Sequence, residues 1–362
     1  MITIIDKYII KKYLYTFFFI MLIFTLIAIV FDFSEKVDDF IKEDCTKQEI
    51  FFDYYLNFIP WINSILLPFY ALISVVFVTS RLANNSEIVA LLGAGAKFSR
   101  ILRPFLISAG LIAILHLFAG HIMVPKGNKP FKEFENKYIF KGNIKDKNRN
   151  VHIFITPDTK IYLRYYRKRD SSGVDFRIEQ FKNNEMVYLL KSERIKLLEY
   201  PNKWRLEGYV IRSFDGDKEG IIVGKGAHLD TTINLTPADF VFVSNEKEMM
   251  TTPELYDYID SQRMKGVGTT SLYEVEAHRR TSEPFTILIL TIIGVAMAGR
   301  KVRGGMGLYL ALAIMIGAVY IFLSKVSITF ATNKDFPPLL AVWIPNIIFG
   351  LLAIYLVKKA QK

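Results

Sequence analysis

Residues 13–31 contain no charged side chain, and five further stretches carry none of Asp, Glu, Lys or Arg: residues 54–80, 104–125, 285–299, 304–324 and 336–357. A helix of the nineteen residues 13–31, rising ~1.5 Å per residue, nearly matches a hydrocarbon core of ~30 Å. Six such runs constrain the chain to a polytopic α-helical membrane protein. The lipid phase forces each run to satisfy its own backbone hydrogen bonds. The run 285–299 is short, so it is expected to extend past Pro284 or to border a polar cavity. The run 304–324 is expected to continue to Ala331, with Lys325 near its outer end. Pro60 is read as the start of the second span and Pro68 as a kink within it. Residues 32–53 are read as a short charged loop. The first run is too long for a cleavable signal peptide, and no small-x-small site follows it.

The runs fall three before and three after a charged middle, which divides the chain into residues 1–125, 126–250, 251–283 and 284–362. Within 126–250, Val151, Ile153 and Ile155 alternate with their neighbours, as do Ile161, Leu163 and Tyr165. That is the period of half-buried strands. Strands are also expected at residues 186–190, 204–214 and 220–223. Turn signals separate them at Thr156-Pro157-Asp158, Asn183-Asn184, Tyr200-Pro201-Asn202 and Asp215-Gly216-Asp217. The expected fold of this insertion is an antiparallel β domain of sandwich or jelly-roll type. A polar helical connector is expected over residues 253–280.

A net charge of +11 in a soluble chain points toward nucleic acid. In a chain with six spans it reflects cytoplasmic loops and anionic headgroups instead. The basic segments are Lys7, Lys11 and Lys12, residues 81–103, Arg300-Lys301-Val302-Arg303, and Lys358, Lys359 and Lys362. With six spans they all fall on one side, so both termini are expected in the cytoplasm and the β domain in a periplasm. The one cysteine, Cys45, excludes an internal disulfide and any multi-cysteine metal site.

Residues 81–103 carry Arg81, Lys97, Arg100 and Arg103 against one acid, Glu87. Asn84, Asn85 and Ser86 offer N-caps, and Gly93 and Gly95 offer stop signals, for a short helix within residues 81–96. At 100° per residue Glu87 shares an edge with Ala83 and Ala90, while Leu82, Val89 and Leu92 point broadly the other way. The alternative is a basic loop that only sets topology.

No motif for bond chemistry accompanies these features. The glycine runs lack the spacing and hydroxyl residue of a phosphate-binding loop, and no H-E-x-x-H occurs. His116 and His121 are five residues apart, and the other histidines, His152, His228 and His278, are scattered. Helix–helix hydrogen bonding is the expected role of the first two, with a proton relay as the alternative. No cofactor or metal is expected. Three spans on each side of an external domain, with an inside helix to dock, fit a transporter half moved by a separate ATPase.

The chain resembles the lipopolysaccharide-export permease family LptF/LptG (YjgP/YjgQ) over essentially its whole length. The resemblance is carried by Asp6-Lys7-Tyr8-Ile9, Ser86-Glu87-Ile88-Val89-Ala90-Leu91 through Gly95, Val124-Pro125-Lys126-Gly127 and Leu235-Thr236-Pro237. It continues with Arg279-Arg280 and Pro284-Phe285, Gly304-Gly305-Met306-Gly307, and Pro337-Pro338 with Trp343-Ile344-Pro345-Asn346. It leans to the LptG-like half. It implies an inner-membrane permease half that pairs with a second LptF/LptG-like half and an LptB-like ATPase dimer. Lipopolysaccharide drawn from the outer leaflet would pass to a jelly-roll bridge with LptC-like and LptA-like proteins. Glu87 matches the acid that contacts the ATPase, with Arg81, Ala83 and Ala90 beside it. Lys36, Lys132 and Lys325 are the candidate lipid-phosphate contacts, although Asp32 and Glu135 stand where basic residues are expected. Ile153, Ile161 and Leu163 are candidates for an acyl-chain path. Gly304, Gly305 and Gly307 are read as close helix packing. The competing reading is a membrane-anchored envelope scaffold or mechanotransmission module that transports nothing.

Overall fold

The computed structural model describes residues 3–43, 45–139, 149–167, 169–183, 185–216, 218–240, 246–264, 270–299, 305–333 and 336–360. The expected basic loop 300–303 and Gly304 lie outside the described residues, as do Asn184 and Asp217 of two expected turns. Two compact units result: Met1–Ile139 with Lys247–Leu255 and Ser271–Lys362, and Phe140–Glu246 with Tyr256–Thr270.

Six helices of the first unit are long and apolar enough to cross a membrane. They are α1 (Ile4–Lys42), α2 (Lys47–Asn84) and α4 (Phe98–Ile139) before the insertion. After it come α6 (Ser271–Ala298), α7 (Gly305–Asn333) and α8 (Pro338–Ala360). The short α3 (Glu87–Gly93) lies between α2 and α4, and α5 (Thr252–Met264) precedes α6.

The expected loop over residues 32–53 is not a loop. With 39 residues at ~1.5 Å each, α1 outruns a hydrocarbon core. No glycine or proline stops it, and Asp32 and Lys36, one turn apart, pair at 2.9 Å. The chain then reverses within a few residues and restarts at Thr46, whose hydroxyl accepts from the Glu49 N–H while the Glu49 carboxylate accepts from the Thr46 N–H. Pro60 therefore lies inside α2 rather than at its start, as does Pro68. A wide helical turn at Ala119–Met123 ends just before Val124-Pro125, and α4 passes that proline without ending. The fourth span extends past Pro284 back to Ser271, as expected.

Of the six, α6 is the most buried and α1 the least. Ile287, Leu290 and Ile293 of α6 pack with Leu72, Val75 and Phe105 of α2 and α4. Tyr13 joins α1 to this core: its buried hydroxyl donates to Ala71 O and lies 3.3 Å from Thr291 Oγ1. Close approach is supplied by glycines other than the expected ones. A Cβ on Gly294 would sit 2.4 Å from Val75 Cγ1, and one on Gly317 would sit 2.9 Å from Phe69 Cδ2. At Gly307 nothing lies within 4 Å, so close packing within this chain is not its role.

The second unit carries six antiparallel strands: β1 (Arg149–Thr156), β2 (Thr159–Arg167), β3 (Ser172–Lys182), β4 (Glu185–Glu199), β5 (Lys203–Asp215) and β6 (Lys218–Thr232). They form one sheet in sequence order, so the insertion is built as a meander. Register sets an apolar row across it: Ile153 faces Ile161, then Ile178, Leu190, Ile211 and Ile222 in turn. Cross-strand partners share a face. After β6 the chain folds over that face. Leu235 and Phe240 are buried with Trp204 and Tyr166, and Trp204 Nε1 donates to Leu235 O at 2.8 Å. Arg205 and Asp230, paired across β5 and β6, make two 2.8 Å hydrogen bonds. These hold the Asp230 carboxyl below the usual carboxylate range.

The Gly294 contact is testable. Gly294→Leu must displace Val75 and is expected to destabilise the helical unit by ~1–3 kcal/mol. Thermal unfolding in detergent should show this as a lowered midpoint, with Gly307→Ala unchanged.

Candidate lipid and coupling sites

Four polar constellations stand out among the described residues. The first is on α6, where Glu276, Arg279, Arg280 and Glu283 fall at helical spacings of three and four. Glu276, only 5 % exposed, accepts from Arg279 Nε at 3.0 Å and from Arg280 Nε at 3.0 Å. Arg279 also reaches Glu283 at 2.6 Å. Arg280 donates to Met250 O at 2.8 Å and Lys247 O at 2.9 Å, which fastens the segment before α5 to α6. The E-x-x-R-R-x-x-E spacing was visible in the sequence, although only its two arginines carried the resemblance.

These residues line a chamber of about 380 Å³ bounded by α2, α4, α6, α7 and α8. Its walls include Ile65, Phe69, Leu290 and Ile321, and its polar lining adds Asn128, Ser324 and Lys325. Asn128 is 2 % exposed. Its amide donates to Glu248 O, while its Oδ1 has no hydrogen-bond partner. Lys325 is exposed, and no carboxylate among the described residues lies within ion-pair distance of it. At one wall Asn346 accepts from Thr286 and Tyr320 and donates to Ser282 O, joining α8 to α6 and α7. The two histidines serve neighbouring helix contacts: His116 Nε2 lies 3.0 Å from Ser64 O, and His121 Nδ1 lies 2.9 Å from Thr252 Oγ1.

The second constellation unites two local pairs that are far apart in sequence, Asp32 with Lys36 and Lys132 with Glu135. Lys36 pairs with Asp32 at 2.9 Å and with Glu135 at 3.2 Å, and Lys132 pairs with Glu135 at 2.7 Å. Lys36 also donates to Tyr54, whose hydroxyl donates to Asp32. Aromatic rings surround the group: Phe40, Tyr54, Phe58, Phe131 and Phe134 form one buried cluster. Lys132 lies over the rings of Phe131 and Trp61, 4.6 and 5.0 Å from their centroids. Two of the three lysines read as phosphate contacts are thus engaged within the chain.

The third surrounds Glu87. Ser86 adopts a left-handed conformation, φ 62°, which breaks the helix between Asn84 and Glu87. Arg81, Leu82 and Ala83 therefore end α2, and Ala83 is buried. The expected edge of Ala83, Glu87 and Ala90 does not form. Ile88 is the buried anchor of α3, while Val89, Ala90 and Leu92 are exposed. Glu87, about one third exposed, lies 3.7 Å from Lys12 and accepts from Asn85 Nδ2. Nearby, Arg100 pairs at 2.9 Å with Asp6, which is buried at the capped start of α1. In the sequence Arg100 reads only as a topology charge, because no local signal connects residues 94 positions apart.

The fourth is the apolar face of the sheet. Ile153, Ile161 and Leu163 are buried in its core. The same face opens into a groove of about 430 Å³ lined by Ile155, Ile178, Tyr188, Leu190 and Leu229. Ile155, Ile178, Tyr188, Ile211 and Leu229 are partly buried against that core and Ile222 is exposed, whereas Leu190 is buried with the expected residues.

Removing one member of a buried ion pair leaves the other uncompensated, at a cost of about 3–5 kcal/mol. Glu276→Ala, which leaves buried Arg280 without a carboxylate while Arg279 keeps Glu283, is expected to lower the unfolding midpoint strongly. An exposed pair such as Lys203–Glu199 should hardly register when broken by Glu199→Ala.

Residues 7–359 match the family described as lipopolysaccharide export system permease LptF/LptG. The chain is 19 % identical over 318 residues to lipopolysaccharide export system permease protein LptG of Escherichia coli strain K12, covering 84 % of each chain. The match to the LptG protein of Escherichia coli O6:H1 has the same identity and coverage.

Proposed function

Since this chain belongs to the lipopolysaccharide export permease family LptF/LptG, we propose that it is one permease half that draws lipopolysaccharide from the outer leaflet of the inner membrane. A second LptF/LptG-like half completes the pathway, and an LptB-like ATPase dimer drives it from the cytoplasm. Both termini and α3 lie on that cytoplasmic side, and the β domain is periplasmic. LptC-like and LptA-like proteins receive the lipid from it.

The observation that carries this reading is the chamber on α6. It combines apolar walls with a charged lining, and Lys325 is part of that lining with no carboxylate among the described residues at ion-pair distance. A glycolipid needs both: water-free surface for acyl chains and a cation for its phosphate. The groove on the sheet supports the next step, because Ile155, Ile178, Tyr188 and Leu229 give acyl chains an apolar lining over the buried core of the same face.

Ion pairs supply a route for force. The ATPase docks on Glu87 and the exposed Val89–Ala90–Leu92 face, while Ile88 anchors α3 in the helical core. Lys12–Glu87 and Asp6–Arg100 connect α3 and the start of α4 to α1. Displacement of α3 thereby moves packed helices as bodies rather than bending a loop.

Glu87→Lys is expected to abolish export and leave the β domain folded. Normal growth with normal surface lipopolysaccharide in such a strain would remove the coupling role. Photo-crosslinkers at Lys325 and Ile178 are expected to yield lipopolysaccharide adducts. One at Ile221, on the opposite face of the sheet from Ile222, should yield none; equal adducts at Ile221 would exclude the proposed groove.

A further inference from the structure

Lys36 donates to Tyr54 and Glu135 and pairs with Asp32 at 2.9 Å, so its ammonium is engaged within the chain. Lys132 gives one to Glu135 and is otherwise enclosed by the rings of Trp61 and Phe131. The charges cancel: two ammonium groups against the carboxylates of Asp32 and Glu135. The four side chains are 7–15 % exposed. A phosphate approaching these lysines must detach Glu135 from both at once and leave its carboxylate buried beside Asp32. A lipid phosphate and two carboxylates competing for the same two cations repel one another.

We infer that Asp32 and Glu135 are specificity-determining residues: they keep Lys36 and Lys132 as internal ion pairs and make this end of α1, α2 and α4 unresponsive to a lipid phosphate. The inference rests on the lipid-export reading and deepens it. The headgroup class that suits this chain is a lipid A-type glycolipid whose recognition uses a single phosphate, held at Lys325, with no contribution from a second phosphate. Asp32 and Glu135 are positioning residues in this account; they act through the lysines and do not touch the lipid.

Binding of monophosphoryl and diphosphoryl lipid A to the full chain in detergent tests it. The native chain is expected to bind the two lipids with affinities within about twofold, and Lys325→Ala to weaken both by about tenfold. The double variant Asp32→Asn with Glu135→Gln frees two cations. It is expected to gain about tenfold for the diphosphoryl lipid and nothing for the monophosphoryl lipid. A merely structural role for the carboxylates would change both lipids alike, and that result overturns the inference. A native chain that prefers the diphosphoryl lipid tenfold, and loses that preference in Lys36→Ala, also overturns it. Should the double variant fail to fold by thermal unfolding, Asp32→Asn alone, which leaves Glu135 bridging both lysines, is expected to gain a few-fold for the diphosphoryl lipid only. No gain there counts against the inference. Failure of the native chain to bind either lipid would instead remove the lipid-export reading, and the inference with it.

Discussion

A charge inside an apolar helical bundle has to be neutralised where it stands, and much of this structure follows from that requirement. Glu276 is the central case. Enclosed by two guanidinium groups of its own helix, it fixes both arginines, and Arg280 in turn holds the backbone at Lys247 and Met250. The chamber lining is thereby organised before any ligand arrives. Desolvation makes such pairs costly to build and costlier to break. Their contribution here is position: they determine which cations are consumed and which stay available.

The same principle acts at two more places in the helical unit. Asp6–Arg100 and Lys12–Glu87 tie α1 to the start of α4 and to α3, while Asp32, Lys36, Lys132 and Glu135 tie the other end of α1 to α4. Between these ties α1 is the least buried of the six helices, held chiefly by Ile9, Tyr13 and Phe17. It is a long lever fastened near both ends. A polar network elsewhere, Thr286–Tyr320–Asn346, does comparable work without charge.

How far the site could be read beforehand depended on the range of the interaction. The short helix that carries Glu87 was legible in its flanking residues, and the sequence also offered the i, i+3 and i, i+4 charges of α6. The strand β3 was missed although Val174, Phe176 and Ile178 alternate, because Asp175, Arg177 and Glu179 on the other face dilute its hydrophobicity. The edge proposed for Ala83, Glu87 and Ala90 failed at one backbone angle, the positive φ of Ser86. Gly294 and Gly317 became recognisable as close-packing positions only once Val75 and Phe69 stood against them.

Six membrane helices and an inserted antiparallel sheet were legible in the chain before any fold was known, because hydrophobic length and strand period are local properties that the solvent enforces directly. It also carried the family, through motifs distributed from Asp6 to Asn346. Tertiary structure alone decided which charges are spent. Lys36 and Glu135 are separated by 99 residues, and Coulomb energy depends on distance in space rather than along the chain. That is why Lys36, Lys132 and Lys325 read alike as candidate phosphate contacts and yet differ: two are paired with Asp32 and Glu135, while Lys325 is exposed with no carboxylate among the described residues at ion-pair distance.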